Sequence, residues 1–238
     1  MVFGLLCLGG ILPLGAGGLV IAQAFSNAQQ DVPNPEFAPL AWHNLGAEEI
    51  FPEGFGRGTG RMEAQQGADT WARQGIAEEA ACEEVLSAEY LQALEDNGCK
   101  TVLRATYADS SESVAATVSL VVLEDGSALE EVQETVDWFR MEEGVEGPLA
   151  EAYPVPGTLT EGFDQSLVGG DDMRGLTYNS HEAPYLVVTV AGPIDGRATG
   201  ELPAPWDESE SDETVYSGVA AFVGQEFEYA FNTKVEGR

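Results

Sequence analysis

Two histidines, three cysteines and one arginine inside an apolar segment are the residues of this 238-residue chain whose type and setting could do chemistry. His181 follows Ser180 in N-S-H-E-A-P, which puts a hydroxyl nucleophile beside a base. Neighbours in a tight turn rarely aim a serine oxygen at an imidazole, and no G-x-S-x-G elbow is present, so His181 reads as a turn residue. His43 stands next to Trp42 in a segment read as packing rather than reacting. With only these two histidines and no C-x-x-C, a structural zinc site lacks its ligands, and no zinc is expected. G-G-D-D-M-R-G (169–175) and D-E-S-E-S-D-E (207–213) are the calcium candidates. Neither has the alternating oxygens and central glycine of an EF-hand loop, so both read as solvated acidic loops. Carboxylates are so common that a glycosidase-like pair carries no signal. G-F-G-R-G-T-G (54–60) misses the dinucleotide pattern at Thr59 and lacks the strand and helix that pattern needs, which excludes a phosphate loop. No catalytic residue, metal or cofactor is expected.

Arg104, in L-R-A-T-Y, is the exception. A guanidinium on a strand of small and apolar residues either pairs with a structural carboxylate or seats an anionic ligand; the first is the ordinary outcome in so acidic a chain. The other chemistry-bearing stretch is C-E-E-V-L-S-A-E-Y-L-Q-A-L-E-D-N-G-C, bounded by Cys82 and Cys99. Metal ligation, redox chemistry and a structural bridge are its three possible uses, and the compartment decides among them.

The elements that must position these residues follow from periodicity. Leu86, Tyr90, Leu91 and Leu94 recur at helical spacing from Glu83 to Asn97, and Asn97-Gly98 closes that helix. K-T-V-L-R-A-T-Y-A-D then alternates with period two, D-S-S-E-S turns, and V-A-A-T-V-S-L-V-V-L completes a hairpin over 100–123. A second helix opens at Ser127, where Glu130 completes a capping box and Leu129, Val132, Val136 and Phe139 form an apolar stripe. M-R-G-L-T-Y-N-S and P-Y-L-V-V-T-V-A-G, joined by H-E-A, make a second hairpin. Val215, Val219, Phe222, Val223, Phe227 and Phe231 mark a third helix. The order α-ββ-α-ββ-α predicts an α+β two-layer domain with a four-stranded antiparallel sheet and helices on one face.

Three regions are expected. Residues 1–22 carry no charged or strongly polar side chain, enough at about 1.5 Å per residue to span the roughly 30 Å hydrocarbon core. A-Q-A at Ala22–Ala24 has the form of a signal-peptidase site. Residues 1–24 are therefore read as a transmembrane anchor, or as a signal peptide that frees a secreted protein if cleaved after Ala24. No Lys or Arg precedes the run, which predicts a basic segment encoded upstream. Residues 25–66 read as a Pro- and Gly-bearing spacer in which Trp42, Leu45, Ile50 and Phe51 form a docking patch. Residues 67–238 read as the folded domain, placed outside the cytoplasm.

Forty-one Asp and Glu against 10 Lys and Arg give a formal charge of -31, and Lys100 and Lys234 are the only lysines. Such a surface repels nucleic-acid phosphates and anionic lipid headgroups, and nucleic acid is excluded as a partner. It suits high ionic strength, or a basic protein partner or divalent cations.

W-A-R-Q-G-I-A (71–77), Cys82 and then G-C-K-T-V-L-R-A-T-Y-A-D (98–109) resemble uncharacterised membrane-anchored exported proteins of actinobacteria. That resemblance implies a single N-terminal span and an extracytoplasmic domain, and no activity. Once the domain is placed outside, a disulfide becomes the expected state of Cys82 and Cys99, whose spacing suits neither C-x-x-C redox chemistry nor a zinc knuckle. The expected function is a non-enzymatic interaction or envelope-accessory module; the alternatives are a carboxylate hydrolase and an anionic-ligand domain around Arg104.

Overall fold

The computed structural model describes residues 37–55, 71–94, 98–124, 132, 149–163, 170–178, 181–194 and 211–236. The expected anchor over 1–24 and most of the expected second helix lie outside them; within that helix, Val132 is helical and buried. No helix among the described residues is long and apolar enough to cross a membrane.

Six antiparallel strands form one sheet: β1 (Gly54–Phe55), β2 (Trp71–Ile76), β3 (Cys99–Asp109), β4 (Val114–Leu123), β5 (Gly170–Tyr178) and β6 (His181–Pro193), in the order β1-β2-β3-β4-β6-β5. The β3–β4 hairpin stands where alternation places it. The second hairpin is longer than expected: β5 takes in Gly170–Asp172 of the expected acidic loop, and β6 takes in His181–Ala183, expected as the turn. The count of four is corrected to six because β1 is only two residues long and β2 does not alternate. β2 is half-buried along most of its length and its register shifts between Arg73 and Gly75, so neither period two nor an unbroken apolar run marks it.

The helices with described bounds are α1 (Ala41–Asn44), α2 (Ala47–Ile50), α3 (Ala88–Ala93) and α4 (Ser211–Glu236). The helix expected over 83–97 shrinks to α3. A 3-10 turn occupies Cys82–Glu84, Leu86 bridges to Ala150 as a strand would, and the Ser87 side chain accepts the Tyr90 N–H as an N-cap. The helix ends at Ala93 with Leu94 as its C-cap, four residues short of the expected cap; Gly98 has φ of 64° and donates its N–H to the Leu94 carbonyl at 3.0 Å.

The expectation of helices on one face needs a second correction, since alternate residues of the central strands feed two apolar clusters. On the first face Tyr107, Val118, Leu120, Tyr185 and Val187 pack against α4 through Val223, Phe227 and Phe231. The same cluster takes in Leu45, Ile50 and Phe51 from residues 37–55. Tyr185 donates its hydroxyl to the Ala38 carbonyl at 2.7 Å and Tyr107 donates to the Pro52 carbonyl at 3.1 Å. Gly170 lets β5 touch α4: a Cβ there would lie 2.1 Å from the Ser217 nitrogen. On the second face Val102, Val121, Leu186 and Val188 meet Cys82, Val85, Leu86, Tyr90 and Leu94, with Leu149 and Ala150. Among the described residues the cover is the short helix α3, a 3-10 turn, two extended segments and the helical Val132 of the expected second helix.

Candidate functional site

Arg104 lies in the middle of β3, directly across from Ser119 of β4, and the next cross-strand pair on the same face is Thr106 with Thr117. Four polar residues thus form a block among the apolar second-face residues of β3, β4 and β6. The threonine pair is closed by the chain that crosses it. Thr106 donates to the Tyr153 carbonyl at 2.5 Å, Thr117 accepts the Tyr153 N–H at 2.9 Å, and the two hydroxyl oxygens are 2.8 Å apart. With Thr106 donating outward, Thr117 must donate to Thr106, so both hydroxyls are satisfied and the Tyr153 backbone is pinned to the sheet.

That pin places the Tyr153 ring 5.6 Å from the Arg104 guanidinium carbon, within cation–π reach. The crossing segment is tied on both sides. Glu151 donates its N–H to Val85 at 2.7 Å, Ser87 donates to Leu149 at 3.0 Å, and Leu149 donates to the buried Asp171 carboxylate at 3.0 Å. On the other flank the chain after β2 runs along β3: Ala77 donates to the Arg104 carbonyl at 2.9 Å, and Ala80 and Val102 exchange hydrogen bonds at 3.1 and 3.0 Å. The Cys82–Cys99 disulfide, with a Cα separation of 6.2 Å, closes this arrangement over the start of β3. A bridge between residues at that separation is sterically ordinary.

Burial pushes the Arg104 guanidinium down from its ordinary pKa, while the charges of Glu151, Tyr153 and Glu84 push the other way. No ion pair within 4 Å joins Arg104 to a described carboxylate. Its Nε is buried without a hydrogen-bond partner among the described residues, as are the Ser119 and Tyr90 hydroxyls. Burial also pushes the Tyr90 phenol up, so it stays a neutral donor. Chemically this block can present one N–H and one hydroxyl to an acceptor group, between two carboxylates that weaken it for a fully charged anion.

The remaining candidates fall elsewhere. Asp171 and Asp172 project to opposite faces of β5: the first serves Leu149, and the second pairs with Arg174 at 2.8 Å. The 169–175 stretch therefore does not converge its oxygens, and no cluster of metal-ligating side chains occurs among the described residues. Of the 207–213 acids, Asp207, Glu208 and Glu210 lie outside the described residues, while Asp212 and Glu213 fall in the first turn of α4. His43 is exposed with its ring against Trp42, 5.4 Å between centroids. His181 opens β6 opposite Tyr178, and Ser180 is outside the described residues. Ser119 and Tyr153 were not singled out by type. The available signal was T-x-S in β4 facing R-x-T in β3, two polar pairs in register; nothing in the loop sequence announced Tyr153.

Compared with protein-family models, with curated proteins and with solved structures, the chain matches none.

Proposed function

We propose that this chain is a membrane-tethered, extracytoplasmic interaction module, held by residues 1–24 and acting through its folded surface rather than through a catalytic centre. The observation that carries the reading is the Cys82–Cys99 disulfide, since such bridges form and persist in oxidising compartments. The formal charge of -31 favours a basic protein partner or divalent cations. Cross-linking in intact envelopes, followed by recovery of the chain at low and high ionic strength, tests the role. A partner lost at high salt is expected, and recovery of the chain alone at every salt concentration contradicts it.

A second reading has its own observation. The buried Arg104 Nε and Ser119 hydroxyl, in register on adjacent strands, favour a small ligand with a carbonyl acceptor over one with a carboxylate. Titration of small carboxylates and amides into protein with labelled arginine side chains tests it. The Arg104 Nε resonance is expected to move with a saturable ligand and to stay still for the S119A variant.

A further inference from the structure

The five described cations divide into two kinds. All three arginines are committed inside the fold: Arg73 donates to the Phe51 carbonyl, Arg104 lies over Tyr153, and Arg174 pairs with Asp172 and donates to the Ala221 carbonyl at 3.1 Å. The two lysines, the only ones in the chain, are both exposed. They also share one end of the domain. The Lys100 ammonium sits 5.0 Å above the Trp42 ring, and the Trp42 N–H meets the Tyr185 hydroxyl at 3.4 Å. The Tyr185 ring packs edge-on against Phe231 at 5.5 Å, and Lys234 follows one turn later, near the end of α4. Leu40, 55% exposed, and the half-buried Phe37 and Trp42 lie in the same neighbourhood.

This is also where the chain arrives. Phe37 is the first described residue, and fourteen residues separate it from Ala22, the last of the apolar run. Fully extended they reach at most about 50 Å, close to the roughly 45 Å width of a domain of this size. The bilayer and the Phe37 end therefore stay within about one domain width. A chain of charge -31 is repelled by anionic headgroups as a whole, so among the described residues a favourable approach puts the exposed Lys100 and Lys234 inward and carries most carboxylates beyond a Debye length of about 10 Å. Trp and Lys together are the side chains that settle in a headgroup layer, the indole ring spanning polar and apolar zones and the ammonium meeting phosphate. Nearby acids set the limit of this attraction: Glu48 is exposed on α2, and Glu124 stands against Gly98.

We infer that the surface formed by Leu40, Trp42, Lys100 and Lys234 rests on anionic phospholipid headgroups and sets the orientation of the domain on its own membrane. This rests on the tethered reading above. It leaves the polar block of the second face, on the far side of the sheet from α4, away from that contact.

The presence of only two lysines makes the test clean. The full chain is reconstituted in nanodiscs of phosphatidylglycerol, in nanodiscs of phosphatidylcholine, and in detergent, and acetylation of Lys100 and Lys234 is followed by mass spectrometry. Both lysines are expected to react several-fold more slowly in the phosphatidylglycerol discs than in the other two, with the difference removed by high salt. In the K234E chain the protection of Lys100 is expected to weaken. Equal rates in all three settings, or protection of one lysine alone, overturn the inference while leaving the tether standing. Equal protection in both kinds of disc overturns the recognition of anionic lipid. A chain that elutes apart from the discs overturns the tether and this surface together.

Discussion

The two faces of the sheet are covered by different means. The first is an aromatic core: Phe51 lies 5.3 Å from Phe227, Phe227 lies 5.9 Å from Phe231, and Phe55 lies 4.5 Å from Tyr107. Its stability comes from apolar area removed from water and from ring packing, neither of which depends on a single atom. Apart from α3 and the helical Val132, the described cover of the second face is chain of little regular structure, held by a disulfide, a threonine pair and backbone hydrogen bonds. Cover of that kind depends on specific atoms. It also leaves room for a polar block that an aromatic layer would not tolerate.

Substitutions can separate the two modes, and the largest effect belongs to the first face. F227A is expected to lower unfolding stability by about 3–5 kcal/mol, with the loss reaching the whole molecule in a single denaturant transition. Next comes the disulfide. Replacing Cys82 and Cys99 together by serine should cost roughly 3 kcal/mol through the freed unfolded chain. Hydrogen exchange in that variant should rise first around Ala80, Val85 and Glu151, while the α4 amides stay slow. Uniform acceleration in both regions would erase the distinction between the faces.

T117V removes the acceptor for the Tyr153 N–H and leaves Thr106 without its donor, for an expected loss of about 1–3 kcal/mol. Because the two threonines act as one unit, the T106V/T117V double variant should lose less than the sum of the single variants; additivity in denaturation midpoints would show that no closed network exists. Smallest of all is S119A, which deletes a hydroxyl with no described partner and should change stability by less than about 0.5 kcal/mol. A loss as large as that of T117V would mean that the hydroxyl holds the fold rather than standing ready for a ligand.

Outside both faces, the β3–β4 turn supplies a pH check. Burial pushes the Asp109 carboxyl up, but hydrogen bonds from Ser111, Val114 and Ser113 outweigh it and hold the group below its usual value. A depressed folded pKa contributes stability that is fully present above the unfolded value of about 4 and is lost as pH falls through the folded value. D109N should therefore flatten the acid limb of the stability curve and leave the first and second faces equally affected.

How much of this was legible depends on what holds each element. β3 with β4, β5 with β6, and α4 are fixed by side-chain burial, and burial writes a period into the sequence. Val118, Leu120 and Val122 alternate, while Val223, Phe227 and Phe231 recur every fourth residue. The described cover of the second face is fixed by backbone partners as well as by buried side chains. Leu86 looked helical by spacing, yet its main chain pairs with Ala150, and Ser87 then starts the helix afresh. Residues 149–153 carry no pattern because their task is to offer N–H and C=O groups to Thr106, Thr117 and Val85. At the polar block, Arg104 stood out by type alone. Ser119 became visible only when the register put it opposite.

The most direct test of the tethered, extracytoplasmic reading is thiol trapping in intact cells. Cells are quenched with acid and treated with a mass-shifting maleimide before and after reduction. Two masked thiols, Cys82 and Cys99, are predicted to react only after reduction, while Cys7 reacts freely wherever the first residues are retained. Cys82 and Cys99 both reactive without reductant would place the domain in a reducing compartment and contradict the account.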